Sequence, residues 1–153
     1  MGGSRDQLLL EMKAARSRVL AAVDGLTEEQ ISRPEIDGWS VKDHLNHMTV
    51  WHEMRFHEIG RVGRGGAPSM PLLDDGEVET LNGLMVAVRR GLPVAQVLED
   101  LDFARSLVVE AIASAPEQAL REELYGGIGL RGGIAHDLEH AETIRAWRER
   151  EGI

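Results

Sequence analysis

The side chains in this sequence best suited to chemistry are six histidines: His44, His47, His52, His57, His136 and His140. His136 and His140 stand four residues apart in a segment with helical periodicity, about 40° from one another around the helix. Thr143, Ile144 and Trp147 share that face, so the stripe that must turn inward carries both imidazoles. An i, i+4 pair presents two ring nitrogens to one point, which suits a divalent metal ion. The HExxH pattern of zinc proteases is absent, because Asp137 follows the first histidine. Glu139 lies about 60° from His136, which brings its carboxylate within range of such a site.

A metal site needs at least a third protein ligand. The run Trp39 to His47 ends in His44 and His47, about 60° apart on their helix, with Trp51 between them in angle. The apolar centre of this helix is Val41, Leu45, Met48 and Ile59, which puts both histidines at its edge, where neighbouring helices meet. Either can be a ligand, and the spacing does not choose. His52 lies nearer the middle of the stripe and reads as a hydrogen-bonded core residue, whereas His57 points to solvent. Arg105 falls between Leu101 and Val108 in another apolar stripe, where a charge is costly unless paired. It reads first as an interhelical ion pair or an arginine that snorkels out along its stem, and second as an anchor for an anionic substrate.

These residues need helices to position them. Leu8, Met12, Ala15, Val19, Ala22 and Val23 form one face of a first helix from Ser4 to Asp24, with Ser4 and Gln7 as a capping box and Gly25 as its stop. Thr27 to Gln30 repeats the capping pattern for a short turn before Pro34. Ser40 and Asp43 cap a second long helix running to about Gly60. The stretch 61–76 reads as a crossover loop, followed by a shorter helix from Glu77 to Arg90 with Val78, Leu81, Leu84, Met85 and Val88 on one side. The acidic run beginning at Asp74 reads as a solvated helix start. Pro93 suits a first helical position and opens a segment whose stripe is Val94, Val97, Leu98, Leu101, Val108, Val109 and Ile112. Gly126, Gly127, Gly129, Gly132 and Gly133 read as a loose connection to a last helix from about Ile134 to Arg150. The expectation is an all-α fold over residues 1–153, a single four-helix bundle with a long crossover carrying a short extra helix.

Composition narrows the functions. The chain has 153 residues, enough for one domain with a core of its own. With no cysteine, thiolate metal sites, disulfides and a cysteine nucleophile are excluded. A net charge of −9 argues against a nucleic-acid partner. No apolar run is long enough to span a membrane. The first residues, Met1 to Asp6, lack the apolar run of a secretory signal, so a cytoplasmic location is expected.

Two segments carry a resemblance. The run from Gly38 to Trp51, GWSVKDHLNHMTVW, resembles the second-helix signature of the DinB/YfiT-like superfamily. His136-Asp137-Leu138-Glu139-His140, with Ile144 and Trp147 beyond it, resembles that superfamily's closing HxxxH helix. The middle of the chain, Leu81-Asn82 and then Leu92 to Leu101, is more similar to the ClbS/DfsB-like branch than to the mycothiol-dependent maleylpyruvate isomerases. The resemblance implies a helical bundle holding a divalent metal, nickel or zinc, on three histidines, which correspond here to His47, His136 and His140. It also implies a homodimer and a small-molecule substrate, with hydrolase or thiol-dependent transferase chemistry and a link to detoxification of reactive metabolites. His44 stands where an apolar residue is usual, and Asp137 where an aromatic is common. His44, Trp51, Arg105 and Glu139 are the candidates for a substrate pocket around the metal. Two other classes fit the same residues: a binding protein without turnover, and a structural dimer whose histidines are polar core residues.

Overall fold

The computed structural model describes residues 5–70, 73–125 and 129–153. Helix α1 spans Arg5–Val23 and buries the six apolar residues of its periodic stripe, from Leu8 to Val23. The proposed Ser4 cap lies outside the described residues. Gly25 ends the helix at φ +74°, a conformation that favours glycine. A short helix α2, Glu28–Ser32, starts on the expected box: Thr27 Oγ1 accepts from Gln30 N, and Gln30 Oε1 accepts from Thr27 N.

Helix α3, Val41–Gly63, begins on the reciprocal Ser40–Asp43 box, with bonds of 3.1 and 2.9 Å. It runs three residues past the expected Gly60. The buried Glu58 carboxylate holds the chain beyond it, accepting from Ser69 N at 2.6 Å and Met70 N at 3.2 Å. Helix α4, Asp75–Arg89, starts on a box between Asp74 and Glu77. Helix α5, Val94–Ser114, has Pro93 at its N-cap rather than inside its first turn. Two single 3₁₀ turns, Glu117–Leu120 and Glu122–Leu124, lead towards α6, Leu130–Glu151.

Two expectations are corrected here. Helix α4 does not bury the stripe read from its apolar residues: Leu84 and Val88 are 59% and 68% exposed, and Val86 is its buried residue. The helix lies chiefly along α3 and turns Asn82 and Arg89 towards it, bonding Trp51 and Glu53. Helix α6 begins four residues earlier than expected, at Leu130. Gly132 and Gly133 belong to its first turn, where the Glu122 carboxylate accepts from the free N–H groups of Arg131 and Gly132. Gly133 is required by packing, since a Cβ there would lie 2.4 Å from Cζ of Arg55.

The long helices α1, α3, α5 and α6 form the bundle, with α3 packed chiefly on α5 and α1 on α6. Its core has two parts. One gathers Val19, Leu45, Met48, Leu101, Ile144 and Trp147; the other gathers Met12, Ile59, Val108, Ile112, Tyr125 and Leu130. Between them, on three of the four helices, falls a polar layer: His52 and Arg55 on α3, Arg105 on α5 and Asp137 on α6, all buried.

Candidate metal centre

The histidines meet where the first half of α3 faces the middle of α6. On α3, positions 44, 47 and 51 follow helical spacing and place His44, His47 and Trp51 on one side. On α6, His136 and His140 are one turn apart on the facing side. Their ring nitrogens converge: His47 Nε2 lies 2.7 Å from His136 Nε2, and His140 Nε2 lies 3.1 Å from the same atom. The ligand atoms of the three residues all fall within 4.8 Å of one another. Among the described residues no other histidine, cysteine, aspartate or glutamate joins a set close enough to share an ion.

Hydrogen bonding alone leaves this cluster unsatisfied. Each Nε2 carries either one proton or one in-plane lone pair, yet His136 Nε2 is faced by two other rings. Whichever form it takes, one of the two contacts lacks a well-directed bond. His136 Nδ1 is also buried without a hydrogen-bond partner.

Burial keeps the rings neutral. It pushes His44 and His136 down to about 4. His47 falls to about 3, with the nearby His136 and His44 adding to the effect of burial. Burial, reinforced by the three neighbouring imidazoles, takes His140 to about 2. At neutral pH all four therefore offer lone pairs rather than positive charge, the state a metal ion requires.

Two tryptophans wall the cluster. Ile36 and Trp39 exchange backbone bonds of 2.9 Å each across Asp37 and Gly38, whose φ angles are +51° and +85°. This two-residue turn with both central φ angles positive is the type that Asp-Gly favours. It holds the Trp39 ring 5.2 Å from the rings of both His44 and His47. On the other side the buried Trp51 lies 6.3 Å from His47 and 6.2 Å from His136. Its Nε1 donates to Asn82 Oδ1 at 2.8 Å, which ties α4 to the site.

Behind His136, the polar layer fixes α6 in rotation. Asp137 accepts from Arg105 Nη2 at 3.2 Å and contacts His52 Nε2 at 3.0 and 3.1 Å. Burial alone would raise the carboxyl of Asp137, but the His52 hydrogen bond and the charge of Arg105 hold it below the ordinary carboxylate value. Burial pushes His52 the other way, towards the neutral imidazole. Charge at this layer is therefore carried chiefly by Asp137 and the arginines. With Asp137 on the side of α6 towards α3 and α5, one residue's rotation sets His136 towards the other histidines.

The expected site residues thus separate into two groups. His47, His136 and His140 come together, Trp51 stands beside them, and His44 touches His140 through Nδ1 at 2.8 Å. Arg105 is 4% exposed and paired with Asp137, the first of its two readings, and Glu139 is exposed outside the cluster. His52 is the hydrogen-bonded core residue expected and His57 is exposed. Sequence reasoning missed Trp39 and Asn82 as parts of the site and Asp137 as its buried support. The Asp-Gly turn before Trp39 was the available signal for the first.

A family model described as the DinB superfamily matches residues 11–144. No curated protein and no solved structure matches the chain. The chain belongs to the DinB superfamily.

Proposed function

We propose that this DinB-superfamily protein holds one divalent metal ion, nickel or zinc, on Nε2 of His47, His136 and His140, and that it acts as an enzyme on a small molecule. The observation that carries this reading is the convergence of three neutral imidazole nitrogens, one buried and two half-buried, that cannot satisfy one another by hydrogen bonding. Tetrahedral ligation at about 2.0–2.1 Å sets ligand nitrogens roughly 3.3 Å apart, so a small opening of the cluster accommodates an ion. Three neutral protein ligands leave a position for water or substrate, where a bound metal supplies Lewis-acid polarisation or a nucleophile at neutral pH.

The chain's own residues supply the rest. Trp39 and Trp51 give the site apolar walls that exclude water and fit an uncharged or aromatic group. Neither Arg105 nor Glu139 is available at the cluster for substrate charge, because the first is bound to Asp137 and the second faces solvent. The similarity to the ClbS/DfsB-like branch supports hydrolase or thiol-dependent transferase chemistry on a reactive metabolite, and a homodimer.

Metal analysis by mass spectrometry on tag-free protein tests the reading. The expected result is near one nickel or zinc per chain, lost in each of His47→Ala, His136→Ala and His140→Ala. A value near zero after incubation with both metals would overturn it. With metal bound, ester hydrolysis and thiol transfer to electrophiles are the reactions to screen. Saturable ligand binding without product would make this a binding protein instead.

A further inference from the structure

We propose that His44 is a positioning residue that fixes the tautomer of His140, accepting a hydrogen bond from Nδ1–H so that Nε2 of His140 is free for the metal. This inference rests on the three-histidine reading and adds a fourth imidazole to it in a different role. The rings of His44 and His140 meet through Nδ1 and Nδ1 at 2.8 Å, with centroids 5.0 Å apart and planes 60° from each other. That contact is on the edge of the His140 ring away from the Nε2 that faces His136 at 3.1 Å. One nitrogen of His140 is thus directed at the cluster and the other at His44.

Only two neutral arrangements satisfy the Nδ1–Nδ1 contact. If His44 donates, the proton of His140 sits on Nε2, which blocks its lone pair. If His140 donates, Nε2 is free and the ring orientation is held by its second nitrogen. Histidine ligands almost always have such a partner, and its loss costs about 10–100-fold in metal affinity. Placement separates this role from that of a fourth ligand. His44 lies outside the set of atoms that share one 4.8 Å neighbourhood, although it is buried within the same cluster. Its place is also secured from below: it is the fourth residue of the capped first turn of α3, and its N–H donates to Ser40 O at 3.1 Å. Trp39 closes over the ring from outside at 5.2 Å.

The test is cobalt(II) titration of metal-stripped full-length protein, followed by visible absorption, with His44→Leu, His44→Phe and His44→Asn. Leucine and phenylalanine remove the acceptor, and asparagine keeps an oxygen near the position of Nδ1. The expected result is one cobalt per chain in all of them, with affinity about 10–100-fold weaker in the leucine and phenylalanine variants and restored towards wild type by asparagine. In the zinc-loaded protein, nitrogen-15 spectra should show His140 metal-bound at Nε2 with a slowly exchanging Nδ1 proton. That proton should exchange rapidly in His44→Leu.

Equal affinity and an unchanged Nδ1 proton in His44→Leu or His44→Phe would overturn the role of His44 while leaving the three-histidine site standing. Loss of stoichiometric cobalt in those variants would overturn it too, because His44 would then be a ligand. A wild-type chain that takes up no cobalt would instead remove the metal reading on which the inference depends.

Discussion

Removing the carboxylate of Asp137 should be among the most destabilising single changes in this protein outside the three-histidine cluster. Asp137 and Arg105 are 3% and 4% exposed and 3.2 Å apart, so neither charge is compensated by water. His52 Nε2 sits 3.0 Å from the same carboxylate, and Arg55, also buried, has its positive charge supported by Asp137 and Glu122. Breaking a buried pair by deleting one partner costs about 3–5 kcal/mol, because the remaining charge is left alone in the interior. A domain has only about 5–15 kcal/mol in total, so Asp137→Ala should lose about a fifth of its stability or more. Urea unfolding followed by circular dichroism reads this directly. With a slope of about 1–3 kcal/mol per molar urea, the midpoint should fall by on the order of 2 M with the slope unchanged. Asp137→Asn keeps the shape and an acceptor but not the charge, and should cost about 1.5–3 kcal/mol. The double variant Asp137→Leu with Arg105→Met removes both charges of the pair and should recover at least half the loss of Asp137→Leu alone. An Asp137→Ala cost below about 1 kcal/mol, or a double variant as unstable as the sum of its singles, would refute this account of the polar layer.

Other measurements follow from the same geometry. The folded-state values of His44, His47, His136 and His140 lie below the ordinary 6.5, so the unfolded chain binds more protons below that pH. Stability of metal-stripped protein should therefore be full above pH 6.5 and fall as the pH drops towards 4, by up to about 1.4 kcal/mol per pH unit for each proton taken up on unfolding; a flat profile over that window would show that the rings are not held neutral. Gly133→Ala should destabilise despite a helix-propensity gain of about 1 kcal/mol, because the added Cβ would meet the buried Arg55 guanidinium at 2.4 Å; a raised melting temperature would mean that Arg55 moves freely. Light scattering at micromolar concentration should give the mass of a dimer, and a monomeric mass would remove that part of the proposed function.

What was legible in the sequence depended on whether a residue's surroundings were local. The buried face of α1 could be read in full because six apolar residues recur at helical spacing, and its end was legible in Gly25. The boxes at Thr27 and Ser40 were legible for the same reason, being closed within four residues. Helix α4 shows where hydropathy fails. It packs chiefly on α3, and its polar contacts there are made by Asn82 and Arg89, so apolar Leu84 and Val88 are left outside. The start of α6 was hidden because its first-turn glycines resemble a linker. Their helical state depends on Glu122, a cap from another element, and on Arg55, which needs the space at Gly133.

The site divides along the same line. That His136 and His140 share a face is a property of one helix, and it was legible. That His47 rather than His44 completes the set is a relation between two helices, which spacing on α3 left open and the family resemblance supplied. The structure gives a physical reason for the difference: the His47 ring reaches His136 through Nε2, whereas the Nδ1 atom of His44 stops at Nδ1 of His140. Asp137 was the least legible residue of all, since a charged side chain beside a clustered histidine reads as solvent-facing until its partners are known. Those partners, His52 and Arg105, come from two other helices, and His52 and Arg105 were each read separately as buried polar residues in need of a partner. The one carboxylate that answers both was present in the sequence. Finding it required the relative rotation of three helices, which that same contact helps to set.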